Sequence, residues 1–478
     1  MMAFEDKPQE ACAVFGIYAP GETVASLAYF GLYALQHRGQ ESAGIATYDT
    51  DGKFHLHKNM GLVSRVFNEE ILSRLPGYLA VGHTRYSTTG SSRIANAQPV
   101  AVETRLGTLA LAHNGNLVNA AELREALQSH PHTFVSTTDS EAMAVAVGQE
   151  IDTGKDWCEA AIAACKRCQG AYSLVIGCPK GIMGIRDPHG IRPLVIGTYG
   201  QNPQRYVLAS ETAGLDIIGA EYLRDVQPGE LVWITEAGLA SYHWAEAATR
   251  KLCVFELIYF SRPDSIVNER SLYSYRLRLG EQLARESAVP ADMVIPVPDS
   301  GIPAAIGFAK GSGVDYGEGL IKNRYVGRTF IQPTQSMREA GIRMKLNTLK
   351  DAIAGKRLIV VDDSIVRGTT SRKIVRALRD AGATEVHMRI SSPPVTHPCF
   401  YGIDTDNQDQ LIAAQLSTAE IAQRIGVDSL AYLSWEGMMQ ATRENADTFC
   451  SACFTGDYPT HIPTMLRRSK LTLEATPS

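Results

Sequence analysis

The stretch Arg357-Leu-Ile-Val-Val-Asp-Asp-Ser-Ile-Val-Arg-Gly-Thr-Thr-Ser371 joins a short β-branched apolar run to two adjacent carboxylates and a glycine- and hydroxyl-rich loop. Residues 357–361 have the length and branching of a buried strand, and residues 372–379 carry Ile374, Val375 and Leu378 at helical spacing. The expected unit is therefore strand, loop, helix. Backbone N–H groups around Gly368 and at the helix start, with Ser364, Arg367 and the hydroxyls of Thr369, Thr370 and Ser371, can wrap a sugar phosphate. Asp362 and Asp363 cannot bind phosphate themselves. At a strand's carboxyl end they suit ribose hydroxyls and a hard, oxygen-seeking Mg²⁺ carried by a diphosphate. A capped turn with solvated acids would account for an Asp-Asp pair alone, but the full string is far more restrictive and reads as a phosphoribosyl-diphosphate site.

The surrounding sequence supports the same layout. Runs at 293–295, 357–361 and 386–390 alternate with helical patterns at 302–308 and 372–378, as in a parallel α/β domain that binds ligands beyond the strand ends. A second loop, Ile295-Pro-Val-Pro-Asp-Ser-Gly301, follows one of these strands, and Gly301 would let the backbone approach a ligand closely. Read without context it is a proline-rich turn. Toward the amino terminus the pattern changes to short apolar runs at 79–82, 109–112, 172–176 and 231–234, with helical stretches at 120–128 and 140–150, which predicts stacked sheets with helices outside. The composition breaks between residues 242 and 251.

The chain has 478 residues, 45% hydrophobic and 20% charged, which is ordinary globular composition and leaves room for two large cores. A formal net charge of -5 offers no basic footprint for nucleic acid, so small-molecule partners are expected. No apolar run approaches a membrane span and the first residues are polar, so a cytoplasmic location is expected. Nine cysteines in such a chain argue against a disulfide framework and leave catalysis, metal ligation or packing.

Cys12, within Glu10-Ala-Cys-Ala-Val-Phe-Gly16, would by itself be a core cysteine. Its companions are His37-Arg-Gly-Gln-Glu-Ser-Ala-Gly44, Gly82-His-Thr-Arg-Tyr-Ser-Thr-Thr-Gly90, Ala112-His-Asn-Gly-Asn-Leu117 and Ser136-Thr-Thr-Asp-Ser-Glu141. On these motifs the chain resembles the N-terminal-nucleophile glutamine amidotransferases. With the carboxyl-terminal loop, from about Cys12 to about Tyr458, it resembles the amidophosphoribosyltransferase family. The resemblance implies a four-layer αββα glutaminase domain at 12–245, followed by a type I phosphoribosyltransferase α/β domain at 246–478, preceded by a propeptide at 1–11.

Releasing ammonia from a carboxamide needs a nucleophile, a proton carrier and a cradle for the oxyanion. Once Cys12 heads the chain, its α-amino group, with an ordinary pKa of roughly 7.7 to 8.0, can take the thiol proton and return it to departing ammonia. Neither Met1 nor Met2 adjoins Cys12, so methionine removal cannot expose it and cleavage after Ala11 is required. By resemblance, Asn114 and Gly115 form the oxyanion cradle, Arg85 and Thr88 hold the glutamine α-carboxylate, Asp139 holds the α-ammonium, and Arg38 braces the site. Ala13 departs from the family's usual glycine after the nucleophile, and its methyl could crowd the glutamine pocket.

The resemblance also assigns Asp299, Ser300 and Gly301 to the diphosphate, with Ser300, Asp362 and Asp363 beside one Mg²⁺ per subunit. It makes Ile321-Lys-Asn-Arg-Tyr-Val-Gly-Arg-Thr-Phe330 a closing loop, with Lys322 and Tyr325 over the substrate. Arg343 and Lys345 would join the same electropositive funnel. Cys158, Cys165 and Cys168 share a helical stripe with Ala161 and read as core. Only Cys450-Ser-Ala-Cys453 has ligand spacing, which alone is a weak metal signal. The iron-sulfur branch of the family places cysteines in strings like those around Cys253, Cys399, Cys450 and Cys453, implying one [4Fe-4S] cluster per subunit, or zinc in its place. Expected partners are glutamine, phosphoribosyl diphosphate, purine nucleotides as feedback inhibitors, and further copies of the chain in a dimer or tetramer. Three other readings compete: a glutamine-dependent enzyme with a different acceptor, a non-catalytic phosphoribosyl-diphosphate sensor, and an iron-sulfur redox protein. The first fails on the phosphoribosyl loop, the second on Cys12, Arg85, Asn114 and Asp139, and the third on the lack of a flavin or nicotinamide motif.

Overall fold

The structure, a computed structural model, describes residues 12–86, 92–128, 132–201, 204–245, 249–323, 346–405 and 407–463. Before residue 245 it holds two antiparallel sheets. The first runs Ala220–Asp225, Val195–Tyr199, Tyr206–Ala209, Cys12–Tyr18, Leu79–Arg85, Ser42–Tyr48 and Phe54–Met60. The second runs Gly238–His243, Glu230–Thr235, Gly181–Arg186, Gly170–Cys178, Gly107–Leu117 and Val100–Thr104. One apolar cluster, including Val14, Tyr48, Val81, Ala112, Val175 and Ile196, draws from both sheets and fills the space between them. Helix Val24–Ala34 covers the first sheet and helices Asp139–Asp152 and Trp157–Cys165 cover the second, each over its own core. The result is stacked sheets with helices outside, as the apolar runs predict, in the four-layer αββα arrangement that the resemblance implies.

The alternation of strand side chains also answers the concern over Ala13. Its methyl belongs to the cluster beneath helix Val24–Ala34 with Phe15 and Ile17, whereas Val14 joins the cluster between the sheets. Cys12 shares the parity of Val14, so Ala13 faces away from the thiol.

After residue 250 a four-stranded parallel sheet runs Met293–Pro296, Arg357–Asp362, Glu385–Ile390 and Ser429–Tyr432. Helices Leu272–Ser287 and Ile302–Ser312 pack over one core and helices Thr369–Asp380 and Thr418–Ile425 over another. Ile374, Val375 and Leu378 are buried, as their spacing predicts, but the helix starts at Thr369, three residues before the apolar periodicity shows it. Cys158, Cys165 and Cys168 pack in or against the core under the second sheet, consistent with the reading from their stripe. No helix among the described residues is long and apolar enough to cross a membrane.

The two halves meet through a buried ion network. Arg38 pairs with Glu211 of the first half and with Glu256 of the second, and Arg192 reaches Glu256 at 2.9 Å. Burial alone would raise the Glu211 carboxyl, but Arg38 and His37 outweigh it and hold it well below the usual carboxylate range. Breaking one side of such a network strands a charge, at a cost of about 3–5 kcal/mol. Arg38 therefore braces the junction between the halves.

Candidate active site

Cys12 opens its strand and pairs in register with Arg85 on the neighbouring strand. It is 5% exposed, and its sulfur lies 3.8 Å from the Tyr86 carbonyl. Burial pushes the thiol from 9.0 up to about 12; Asp139 and Glu41 add to the rise and Arg85 opposes it. With a peptide bond on its nitrogen, such a thiol is inert at neutral pH. Arg85 is buried, 3.5 Å from Glu41. Thr88 lies outside the described residues.

Asp139 is placed by the start of its helix. Thr138 caps it, and the Glu141 carboxylate gathers the N–H groups of Val135 and Ser136 at 2.9 and 2.8 Å, so the chain enters the helix at a fixed angle. The Asp139 carboxylate accepts from Leu117 N at 2.9 Å and stands 3.7 Å from His113 Nδ1. Burial works to protonate it, but His113 and the hydrogen bonds from Leu117 and Ser140 prevail and keep it below its ordinary pKa. A buried, ionised carboxylate suits an ammonium partner.

Asn114 and Gly115 sit within strand Gly107–Leu117, so they are not a hairpin turn. Gly115 has φ +141, and a Cβ there would stand 2.1 Å from the Ala171 carbonyl oxygen, so only glycine fits. Both polar atoms of the Asn114 amide are buried without a hydrogen-bond partner among the described residues. Leaving an amide unsatisfied costs about 1–3 kcal/mol, which is the mark of a donor reserved for a ligand.

At the second site, Asp362 ends its strand, and Asp362 and Asp363 are 2% and 1% exposed. Asp363 accepts from Ser300 Oγ at 2.6 Å and from Ser364 Oγ at 2.8 Å, so the two loops predicted to share a ligand are joined. At Gly301 a Cβ would lie 2.6 Å from the Val361 carbonyl, so glycine also lets this loop close on the neighbouring strand. Gly368 caps helix Thr369–Asp380 without a side-chain hydrogen bond, and a helix start is a place where an anion can be held. Thr369 is exposed, Thr370 half-buried and Ser371 buried; Arg367, half-buried in the same loop, keeps its Nε without a partner among the described residues. Lys322 ends a short strand paired with Leu346–Thr348 and reaches Asp299 at 2.8 Å. Tyr325, Arg343 and Lys345 lie outside the described residues. Sequence reasoning missed Arg276, a buried cation whose attraction to Asp363 partly offsets the lowering of its pKa by burial. No motif marks it, because it lies mid-helix far from either loop.

Cys253 pairs opposite Cys450 in a short parallel bridge, and these two with Cys453 belong to one apolar cluster that Cys399 packs against. Burial raises the thiols of Cys253 and Cys453 strongly and that of Cys450 to about 12. Among the described residues no three His, Cys, Asp or Glu side chains are posed to hold a metal, so the four sulfurs are gathered but not in ligating geometry. As a donor set, four thiols in and against one apolar cluster fit an iron-sulfur cluster or zinc.

Residues 83–216 match a glutamine amidotransferase domain model. The amidophosphoribosyltransferases of Synechocystis sp. and Synechococcus elongatus are 71% and 67% identical, each over 98% of this chain and 95% of their own. A solved structure of glutamine phosphoribosylpyrophosphate amidotransferase from B. subtilis, complexed with ADP and GMP, superposes with a TM-score of 0.88 at 47% identity, covering 95% of this chain and 98% of that one. With such relatives along nearly the full length of both chains, and a thiol site and a sugar-phosphate site in one molecule, the chain belongs to the amidophosphoribosyltransferase family.

Proposed function

We propose that the chain releases ammonia from glutamine at Cys12 and transfers it to C1 of phosphoribosyl diphosphate, giving 5-phosphoribosylamine, glutamate and diphosphate, the first committed step of de novo purine synthesis. The division of labour follows the two halves, 12–245 for glutamine and 246–478 for the sugar phosphate, after loss of residues 1–11. The freed α-amino group takes the thiol proton, and the thiolate attacks the carboxamide carbon. Asn114 Nδ2–H and the Gly115 backbone N–H bind the oxyanion, while Arg85 and Thr88 grip the α-carboxylate and Asp139 the α-ammonium. The Cys12 α-ammonium gives that proton to the –NH2 group of the tetrahedral intermediate, which leaves as neutral ammonia, and water then cleaves the thioester.

Ammonia then displaces diphosphate with inversion at C1. Asp362 and Asp363 hold the ribose, the loop at 364–371 and its helix start hold the 5-phosphate, and Asp299, Ser300, Gly301, Lys322 and Tyr325 surround the diphosphate. Oxygen donors from Ser300, Asp362 and Asp363 suit Mg²⁺, which when bound neutralises charge on the leaving group; so small a protein ligand set is usual where the substrate brings its own oxygens. Free ammonia at neutral pH is mostly ammonium, so a water-poor passage between the sites is implied. The carrying observation is the pair of built sites: a buried thiol within electrostatic reach of Arg85 and Asp139 with an Asn114 amide that lacks a partner among the described residues, and Ser300 joined to Asp363 at the end of a parallel strand. With glutamine, Mg²⁺ and phosphoribosyl diphosphate, glutamate and diphosphate are expected in equal amounts; glutamate without diphosphate would reject the reading.

Cys253, Cys399, Cys450 and Cys453 would hold a [4Fe-4S] cluster, or zinc, that ties the tail to the start of the second half. Anaerobically purified protein is expected to carry iron and a broad visible absorption; neither iron nor zinc would remove the assignment. Purine nucleotides as inhibitors, a dimer or tetramer, and the cytoplasm complete the proposal. The ADP and GMP bound to the B. subtilis relative support the first of these.

A further inference from the structure

The strand that carries Asn114 and Gly115 is walled by a loop from the other half of the chain. Asn116 Nδ2 donates to the Phe400 carbonyl at 2.9 Å. Gly402, with φ +110, lies so close that a Cβ on it would stand 3.2 Å from the Gly115 carbonyl carbon and 3.3 Å from its Cα and oxygen. Gly115 has little room to retreat, because on the adjacent strand the Ala171 carbonyl would be 2.1 Å from any Cβ of its own. An ordinary side chain at 402 therefore displaces the Gly115 backbone by a few tenths of an ångström.

The wall is itself fixed. Tyr401 Oη is 2.9 Å from Thr460 Oγ1 and accepts from Thr460 N at 3.0 Å, while Tyr458 Oη donates to the Pro398 carbonyl at 2.7 Å. Phe400, Tyr401 and Ile403 share one apolar cluster with Val118 and Ala171 on the glutamine side and Val366 on the sugar-phosphate side. Ile412 N donates to the Val366 carbonyl at 2.8 Å. The packing is thus continuous from the oxyanion strand to the loop that follows Asp363.

We propose that Asn116 and Gly402 are positioning residues of the glutamine site, through which the loop around 398–403 sets the position of the Gly115 N–H in the oxyanion cradle. Glutamine hydrolysis then depends on the docking of the two halves. The proposal rests on Asn114 and Gly115 being the oxyanion donors. Such donors act only within roughly 2.7–3.1 Å of the developing charge, and loss of one costs about 10²–10³ in kcat; a displaced donor should cost about tenfold or more.

Asn116→Asp keeps the side chain's shape but turns an oxygen toward the Phe400 carbonyl, and Gly402→Ala presses on Gly115. In the full-length enzyme, with Asn114→Ala in parallel, kcat and KM for glutamine and the rate with added ammonia would be measured. Expected are a fall in glutamine kcat of about tenfold or more in both variants, a KM change below about threefold, and an ammonia rate within about twofold of the parent. If Asn114→Ala loses glutamine turnover while Asn116→Asp and Gly402→Ala keep it, the wall does not position the cradle, although the cradle stands. Equal loss of both activities would mean a general structural role and would overturn the proposal. If Asn114→Ala keeps full glutamine turnover, the oxyanion assignment falls, and the wall's role with it.

Discussion

Cys12→Ala is expected to lower glutamine-dependent product formation by roughly 10⁴-fold or more, the scale seen when a nucleophile is removed, while the rate with added ammonia stays within about twofold. The separation follows from architecture. Cys12 opens a strand of the antiparallel sheet, whereas Asp362 ends a strand of the parallel one. The variant removes the sulfur without touching either sugar-phosphate loop. A related expectation concerns pH. With Ala11 still attached, a thiol at about 12 is thiolate to only about one part in 10⁵ at pH 7. Alkylation of a cleavage-blocked chain should therefore rise about tenfold per pH unit from neutrality toward 11. In the cleaved chain the α-amino group, near 7.7 to 8.0 as an ordinary value, takes the proton, and reaction should already be rapid near neutral pH. Equal loss of both nitrogen sources in Cys12→Ala would contradict this account.

The second large effect belongs to the acid pair. Asp362→Asn and Asp363→Asn should each cost about 10²–10³ in kcat/KM for phosphoribosyl diphosphate, with glutamine and ammonia affected alike. Asp363 accepts two hydroxyls, from Ser300 and Ser364. An amide there keeps the shape but turns one acceptor into a donor, removes the charge that attracts buried Arg276, and takes away a charge that would face the proposed Mg²⁺. Initial rates with ammonia as the nitrogen source give the cleanest reading, since they bypass Cys12. A loss confined to the glutamine reaction would place the pair outside the sugar-phosphate site.

What the sequence disclosed, and what it withheld, follows the range of the interactions. Residues 357–371 announce a strand, two acids and an anion loop because the pattern is contiguous in the chain, whereas Ser300, 63 residues from Asp363, was placed beside it only by the family resemblance. The start of helix Thr369–Asp380 was hidden, since its first turn is hydroxyl-rich and carries no apolar stripe. The ion network of Arg38 was hidden as well: its partners, Glu211 and Glu256, lie in separate parts of the chain and belong to no pattern. Gly301 and Gly402 show the same limit. Each is a glycine because of a backbone that comes close only in the folded chain, Val361 in one case and Gly115 in the other.

The central claim is that a thiol freed at position 12 liberates the nitrogen. The intact mass of active enzyme, taken before and after inactivation by a glutamine-like electrophile, tests it most directly. The account predicts a chain that begins at Cys12 and gains a single adduct on that residue as glutamine turnover disappears. Fully active enzyme that retains Ala11, or inactivation with the adduct on another residue, would contradict it.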